Sequence, residues 1–253
     1  TPVIYGSPKV AAYHRKALNI ANFSFNSVAS ASDAQERRAN LVNVLDDNIR
    51  VELGKCTPMA GEAAIISLEK AVNDLKSGLI DALITNPVSR DNTSNEPLNF
   101  KGHTHYLRQN FNVADTLTFM INDMIKVGVL AGHVPVSETT KLITVENILK
   151  KLRIMHKSLV ADFGMRKPKI AVLGLNPHAG DNGLIGQEEQ NIIIPAIEKA
   201  NTEGIFAMGP YAAESFFGTS LFKNFDAVLA MYHDQGVTPF KLLCYESGVN
   251  YTA

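Results

Sequence analysis

The stretch KIAVLGLNPH, Lys169 to His178, runs through Ile170, Ala171, Val172 and Leu173 with no polar alternation, opens at Gly174 and ends on a histidine. An uninterrupted apolar run marks a strand buried on both faces, because a half-exposed strand would alternate. Two more stretches share this construction: KVGVLAGH, Lys126 to His133, and DAVLAMYH, Asp226 to His233. Helix-period segments lie between and around them, at about Thr144 to Ala161, Gln187 to Ala200 and Ala212 to Lys223. Strands of this kind alternating with helices predict an α/β fold whose mostly parallel sheet is covered by helices on both sides.

The amino-terminal half extends the pattern. Val3 to Tyr5 reads as a strand and Lys9 to Leu18 as a helix. GEAAIISLEKAVNDLKSG lines Ala64, Ile65, Leu68, Ala71, Val72 and Leu75 along one helical face and stops at Gly78. LIDALIT, Leu79 to Thr85, then reads as a strand. No repeat or linker interrupts the chain, so residues 1–253 are expected to form a single α/β catalytic unit of two lobes. Both ends read as cut, and a longer protein is expected.

Bulk properties narrow the partners. The chain has 253 residues, is 45% hydrophobic and 19% charged, and has a net charge of -1. A balance near zero gives no electrostatic reason to expect nucleic acid or an anionic membrane surface. The apolar runs are too short to span a bilayer. Two cysteines, Cys56 and Cys244, make no disulfide framework, which points to a reducing cytoplasm.

The three histidine exits carry the functional argument. In open α/β sheets, ligands collect beyond the carboxyl ends of strands. His133, His178 and His233 occupy that position on three strands, far apart in sequence. Three neutral imidazoles suit a divalent ion such as zinc and leave positions open for water or substrate. A lone histidine after a strand is more often a hydrogen-bonded surface group, and that reading stays open for each. Asp234, the candidate catalytic residue, could orient an imidazole, complete the coordination, handle protons or simply form a turn before Gln235 and Gly236.

The glycine-rich run NPHAGDNGLIGQEEQNIIIP, Asn176 to Pro195, delivers a helix start that favours anions. It is not a GxGxxG fingerprint, so an ordinary dinucleotide-binding fold is not supported. In FKGHTHYL, His103 and Thr104 could bind an oxyanion, or Thr104 could cap a helix. Lys241 and Asn250, read alone, are surface groups. His14 and His156 fall on polar helix faces.

Taken together, ALITNPVSR, FKGHTHYL, VGVLAGHVPVSE, LGLNPHAGDNGLIGQEE, GPYAAESFF and AVLAMYHDQGVTPFKLL resemble the 4-hydroxythreonine-4-phosphate dehydrogenase family in consistent order. The resemblance implies a three-layer α/β/α two-lobe subunit similar to isocitrate and isopropylmalate dehydrogenases. It implies a homodimer with active sites at the subunit interface. It implies NAD- or NADP-dependent oxidation of a phosphorylated small-molecule substrate, 4-hydroxy-L-threonine 4-phosphate, and then decarboxylation to 3-amino-2-oxopropyl phosphate within pyridoxal phosphate synthesis. Its metal ligands fall on His133, His178 and His233, for zinc first and magnesium or cobalt otherwise. Its substrate contacts fall on His103, Thr104, Lys241 and Asn250. The family's glycine-rich amino-terminal segment is absent, and most nicotinamide contacts and a further substrate arginine are expected beyond Ala253.

Three positions depart from the family pattern. Arg90 stands where lysine is usual, and His105 and Asp181 stand where glutamate is common. A lost carboxylate beside a phosphate would remove repulsion, which leaves room for a paralogue acting on threonate or erythronate 4-phosphate. From other classes, a three-histidine ion could activate water for hydrolysis, or the chain could be a non-catalytic binding protein.

Overall fold

The computed structural model describes residues 1–46 and 48–253. The chain divides into two compact units, Thr1–Val113 and Ala114–Ala253.

The first unit carries a three-stranded parallel sheet. Its elements are β1 (Val3–Gly6), α1 (Pro8–Ala17), β2 (Asn26–Val28), β3 (Asn40–Asn43), α2 (Pro58–Lys76) and α3 (His103–Phe111). The strand order is β1-β3-β2, with Leu41 and Val42 of the central strand buried. Helix α1 starts where the Ser7 hydroxyl accepts from Val10 N, and α2 where Thr57 accepts from Ala60 N. Proline occupies the first turn of both, where a missing N–H costs nothing. Helix α2 buries Ile65, Leu68, Ala71 and Val72, four of the six residues on the expected face. Ile65, Leu68 and Val72 form a small core with Phe100.

One expected strand is absent. Leu79 to Thr85 is irregular, and Ile84 is 94% exposed. Leu83 alone of that run packs against the small core. A strand needs a neighbour for its backbone N–H and C=O groups, and none of the described strands lies beside this run.

The second unit comprises β4 (Thr118–Ile121), β5 (Lys126–Ala131), α4 (Val136–Leu142), α5 (Val145–Ala161) and β6 (Lys169–Leu173). A π-helical turn (Glu189–Ile193) leads into α6 (Ile194–Thr202). Then come β7 (Phe206–Tyr211), α7 (Ala213–Gly218), β8 (Ala227–Tyr232), α8 (His233–Cys244) and β9 (Val249–Thr252). The sheet order is β7-β6-β8-β5-β4-β9. Strands β7, β6, β8 and β5 are parallel, and β4 runs against both β5 and β9.

The apolar runs are continuous because both faces are covered. Ile170 and Val172 of β6, with Ala227, Leu229 and Met231 of β8, pack among Leu149, Leu152 and Met155 of α5 and Ala196 and Ala200 of α6. Ala171 and Leu173, with Val228 and Ala230, face the other way onto Phe216 of α7 and Phe240 of α8. The second unit is thus three layers, α/β/α.

Several boundaries differ from the sequence reading. The strand expected over Lys169–His178 ends at Leu173, and beyond it the N–H groups of Leu175 and Asn176 donate to the Glu189 side chain instead of a neighbouring strand. The helix expected over Ala212–Lys223 stops at Gly218, broken by Ser220 in the left-handed region. HDQG forms no turn and instead opens α8. The reason lies at Gly236, where a Cβ would stand 2.8 Å from both Ala230 Cβ and Val127 Cγ1. Glycine lets the first turn of α8 lie directly on β8 and β5.

Substituting Gly236→Val should therefore destabilise the unit by about 1–3 kcal/mol through overpacking. Chemical denaturation monitored by circular dichroism measures this, and a variant as stable as the parent would contradict the close approach.

Candidate active site

The three histidines beyond the apolar runs leave three neighbouring parallel strands. Strand β8 lies between β6 and β5, and His133, His178 and His233 all come after their carboxyl ends. Ala131 of β5 is in register with Tyr232 of β8, so the two exits lie side by side. The imidazoles of His133 and His233 meet edge to face, with ring centroids 5.8 Å apart.

His178 arrives by a different route. From His178 to Asn182 five successive residues have positive φ, four of them non-glycine. Left-handed geometry costs an L-residue roughly 1–2 kcal/mol, so something must hold the turn. Glu189, 2% exposed, is placed to do it. Its Oε1 accepts from Leu175 N and Asn176 N at 2.7 Å each, and its Oε2 accepts from Asn176 Nδ2 at 2.9 Å. These bonds satisfy a buried carboxylate and fix the backbone leaving β6. Gly180 belongs to the same fit, since a Cβ there would lie 2.6 Å from Glu189 Oε2. The π-turn that carries Glu189 is a geometry common at functional sites.

Gln235 joins the two inner exits. Its Oε1 accepts from Met231 N at 2.7 Å and its Nε2 donates to Gly174 O at 2.6 Å. A single side chain thereby ties the end of β8 to the end of β6.

The donor chemistry fits a divalent ion. His178 Nδ1 lies 2.8 Å from Glu214 Oε1, and His233 Nδ1 lies 2.7 Å from Asp234 Oδ1. An ionised carboxylate only accepts, so the proton in each contact sits on Nδ1, and in a neutral ring that leaves the Nε2 lone pair for an ion. Metal-ligating histidines are held in this way. Among the described residues, no three His, Cys, Asp or Glu side chains stand close enough to hold an ion. The fit is one of topology and donor type, not of a closed cage.

Asp234 lies in the first turn of α8, where a carboxylate also complements the helix dipole. Its carboxylate lies within hydrogen-bond distance of His233 Nδ1, and a helix takes the place of the expected turn. Lys241 is exposed in the last turn of α8. Asn250 pairs with Met120, which pairs with Val127. That register puts Asn250 level with the start of β5, about 13 Å along the strands from the end of β5 at Ala131 at ~3.3 Å per residue. Neither residue is brought beside the imidazoles of its own chain.

In the first unit, Gly102 precedes α3 at φ 110 and no side chain caps it, so Thr104 is not the cap. His103 opens the helix with its ring edge on Phe100, the centroids 5.4 Å apart. Burial lowers its pKa below the ordinary imidazole value, so near neutral pH it is an uncharged ring able to donate one hydrogen bond. Arg90 sits in a short 3-10 turn and His105 is exposed on α3, while Asp181 is part of the left-handed turn in the second unit.

The family model of the pyridoxal phosphate biosynthetic protein PdxA matches residues 1–253. The chain belongs to the PdxA family. A PdxA relative from Bacteroides thetaiotaomicron, named 4-hydroxythreonine-4-phosphate dehydrogenase, is 49% identical over 255 residues, spanning 100% of this chain and 70% of the relative. One of the same name from Sulfurihydrogenibium is 38% identical over 250 residues, spanning 99% of this chain and 76% of that protein. The crystal structure of a Klebsiella pneumoniae 4-hydroxythreonine-4-phosphate dehydrogenase matches with a TM-score of 0.84 at 26% identity, covering 98% of this chain and 77% of that one.

The sequence reading overlooked Gln235, Glu189, Glu214 and Asn176. Glu189 carried a signal, an acidic pair Glu188-Glu189 ahead of an apolar helix, but nothing in the sequence assigned it a partner.

The depressed pKa of His103 predicts a pH signature. The unfolded chain takes up this proton at an ordinary ~6.5, before the folded protein does. Stability is therefore full above that value and falls as pH drops through the lower folded value. His103→Gln should flatten this part of the stability-pH curve. An NMR titration placing His103 at or above the ordinary value would contradict the burial argument.

Proposed function

We propose that this chain is the catalytic portion of a metal-dependent, NAD- or NADP-linked 4-hydroxythreonine-4-phosphate dehydrogenase. The reaction is oxidation of 4-hydroxy-L-threonine 4-phosphate, then decarboxylation to 3-amino-2-oxopropyl phosphate, within pyridoxal phosphate synthesis. The observation that carries the reading is the set of three imidazoles at the exits of adjacent parallel strands, in a chain whose relatives bear that name.

His133, His178 and His233 would hold the divalent ion, zinc being the best match to three imidazole donors, with magnesium or cobalt as the other choices. When bound, the ion supplies Lewis acidity to the oxygens of the reacting carbon atoms. The chain's own groups do the rest. Glu214 and Asp234 hold two imidazoles in one tautomer. Glu189 and Gln235 hold the backbone from which those imidazoles project. His103, uncharged, and Thr104 would offer hydrogen bonds to phosphate oxygens, and Lys241 would bring the compensating charge.

Asn250 lies toward the far end of the sheet from the imidazoles of its own chain. A contact from it to the same substrate would come from a second copy, which supports the homodimer with a shared site. No helix among the described residues is long and apolar enough to cross a membrane. With two unpaired cysteines and a phosphorylated metabolite as substrate, we place the enzyme in the cytoplasm.

The direct test is the full-length protein assayed with NAD or NADP, zinc or magnesium, and a panel of 4-phosphorylated hydroxy acids. Formation of NADH or NADPH with 4-hydroxy-L-threonine 4-phosphate is expected, and His178→Ala should abolish both tight metal binding and turnover. Preference for threonate or erythronate 4-phosphate would transfer the assignment to a paralogue. Metal binding with no nicotinamide reduction on any substrate would contradict the dehydrogenase reading.

A further inference from the structure

We propose that Tyr251 is a positioning residue for Asn250: its side chain, lodged on the α5 side of the sheet, sets the face and register from which β9 presents Asn250 to substrate. The inference rests on the reading of Asn250 as a substrate contact and deepens it with a residue outside that set.

Strand β9 is weakly specified by its other residues. It is the last strand in the sheet order and pairs with β4 alone among the described strands. Val249, Asn250 and Thr252 are exposed, and Tyr251 is the one residue of the four that is partly buried. Register is poorly fixed in a strand that buries neither face, and a slip of one residue exchanges the two faces. In β9 such a slip would turn Asn250 toward α5.

Three elements build the Tyr251 site. Its register partner is Phe119 of β4, fully buried, with ring centroids 6.2 Å apart. Phe163, just beyond α5, meets the same ring edge to face at 5.4 Å. Lys126 Nζ in turn stands 5.4 Å from the Phe163 centroid. The Tyr251 hydroxyl bonds to Asp162 and Ser158 at the end of α5. Ser158 is itself buried and donates from Oγ to Asp162 Oδ2 at 2.6 Å. Burial first, and then the Asp162 carboxylate, raise the phenol pKa above its ordinary value, so the hydroxyl stays protonated and donates. Directional bonding as well as packing therefore ties the strand to α5.

Successive side chains of a strand point to opposite faces. Asn250 thus lies on the other side with its partner Met120, which packs against the core that contains Phe240 of α8. Helix α8 also carries Lys241. Gly248 permits the close approach of β9 to that helix, since a Cβ there would stand 2.6 Å from Phe240 Cε1. Tyr251 acts on Asn250 from behind the sheet, without sharing its face.

Calorimetric titration of the full-length, metal-loaded enzyme with 4-hydroxy-L-threonine 4-phosphate tests this. Asn250→Ala and Tyr251→Ala should each weaken the substrate Kd by roughly 10-fold. The double variant should bind no more weakly than Asn250→Ala alone. Tyr251→Phe, which keeps the ring and loses the hydroxyl, should fall between the parent and Tyr251→Ala. Amide hydrogen exchange in β9 should accelerate in Tyr251→Ala and not in Asn250→Ala. Co2+ affinity, read by chelator competition, should be unchanged throughout, because β4 separates β9 from the strands that lead to the histidines. Additive losses in the double variant, a Tyr251→Ala protein that binds substrate like the parent, or a fall in its Co2+ affinity would overturn the proposal. Unaltered substrate affinity in Asn250→Ala would instead remove the reading of Asn250 as a contact, and this proposal with it.

Discussion

Strand β8 is paired on both edges, with β6 and with β5, and packed on both faces, so Ala227 to Met231 are all apolar and buried. Chemistry is pushed to the first position beyond the strand, which is His233. The same enclosure constrains Gln235 and Gly236. Helix α8 must start at once and lie flat on the sheet, which Gly236 permits, and Gln235 must satisfy backbone groups that two strand ends leave open. The motif YHDQG is thus one solution to ending a fully buried strand while keeping an imidazole and a carboxylate at its rim.

The exit of β6 solves a harder version of the problem. There the chain makes a left-handed turn with four non-glycine residues, a conformation that does not persist without support. Support comes from a buried carboxylate whose lone pairs are taken up by the backbone of Leu175 and Asn176 and by the Asn176 side chain. Local strain and a buried charge are both unfavourable in isolation. Together they deliver His178 to a defined place, which a relaxed loop would not do.

Much of this architecture was legible in the sequence because burial on both faces leaves a plain mark. Ile170 to Leu173, Val127 to Ala131 and Ala227 to Met231 read as strands, and their histidine exits read as a site. Helix α2 was legible from its apolar period and the stop at Gly78, and α5 lies where a helix was expected from about Thr144 to Ala161. The expected strand at Leu79 to Thr85 failed because an apolar run without a pairing neighbour has no ladder to join. Helix α8 was missed because Asp-Gln-Gly reads locally as a turn, and only contact with Ala230 and Val127 explains the glycine. Gln235, Glu189 and Glu214 were invisible for a related reason. Their partners lie on other elements, and no local pattern records a bond from Gln235 to Gly174 or from Glu214 to His178. The resemblance, not local chemistry, singled out Lys241 and Asn250.

The central claim is that the imidazoles of His133, His178 and His233 together ligate one divalent ion. X-ray absorption at the zinc edge of the zinc-loaded full-length protein tests it most directly. The account predicts three histidine nitrogens at about 2.0–2.1 Å with oxygen completing the coordination, and loss of one nitrogen scatterer in each single histidine-to-alanine variant. Sulfur in the coordination sphere, or a spectrum unchanged by those substitutions, would contradict it.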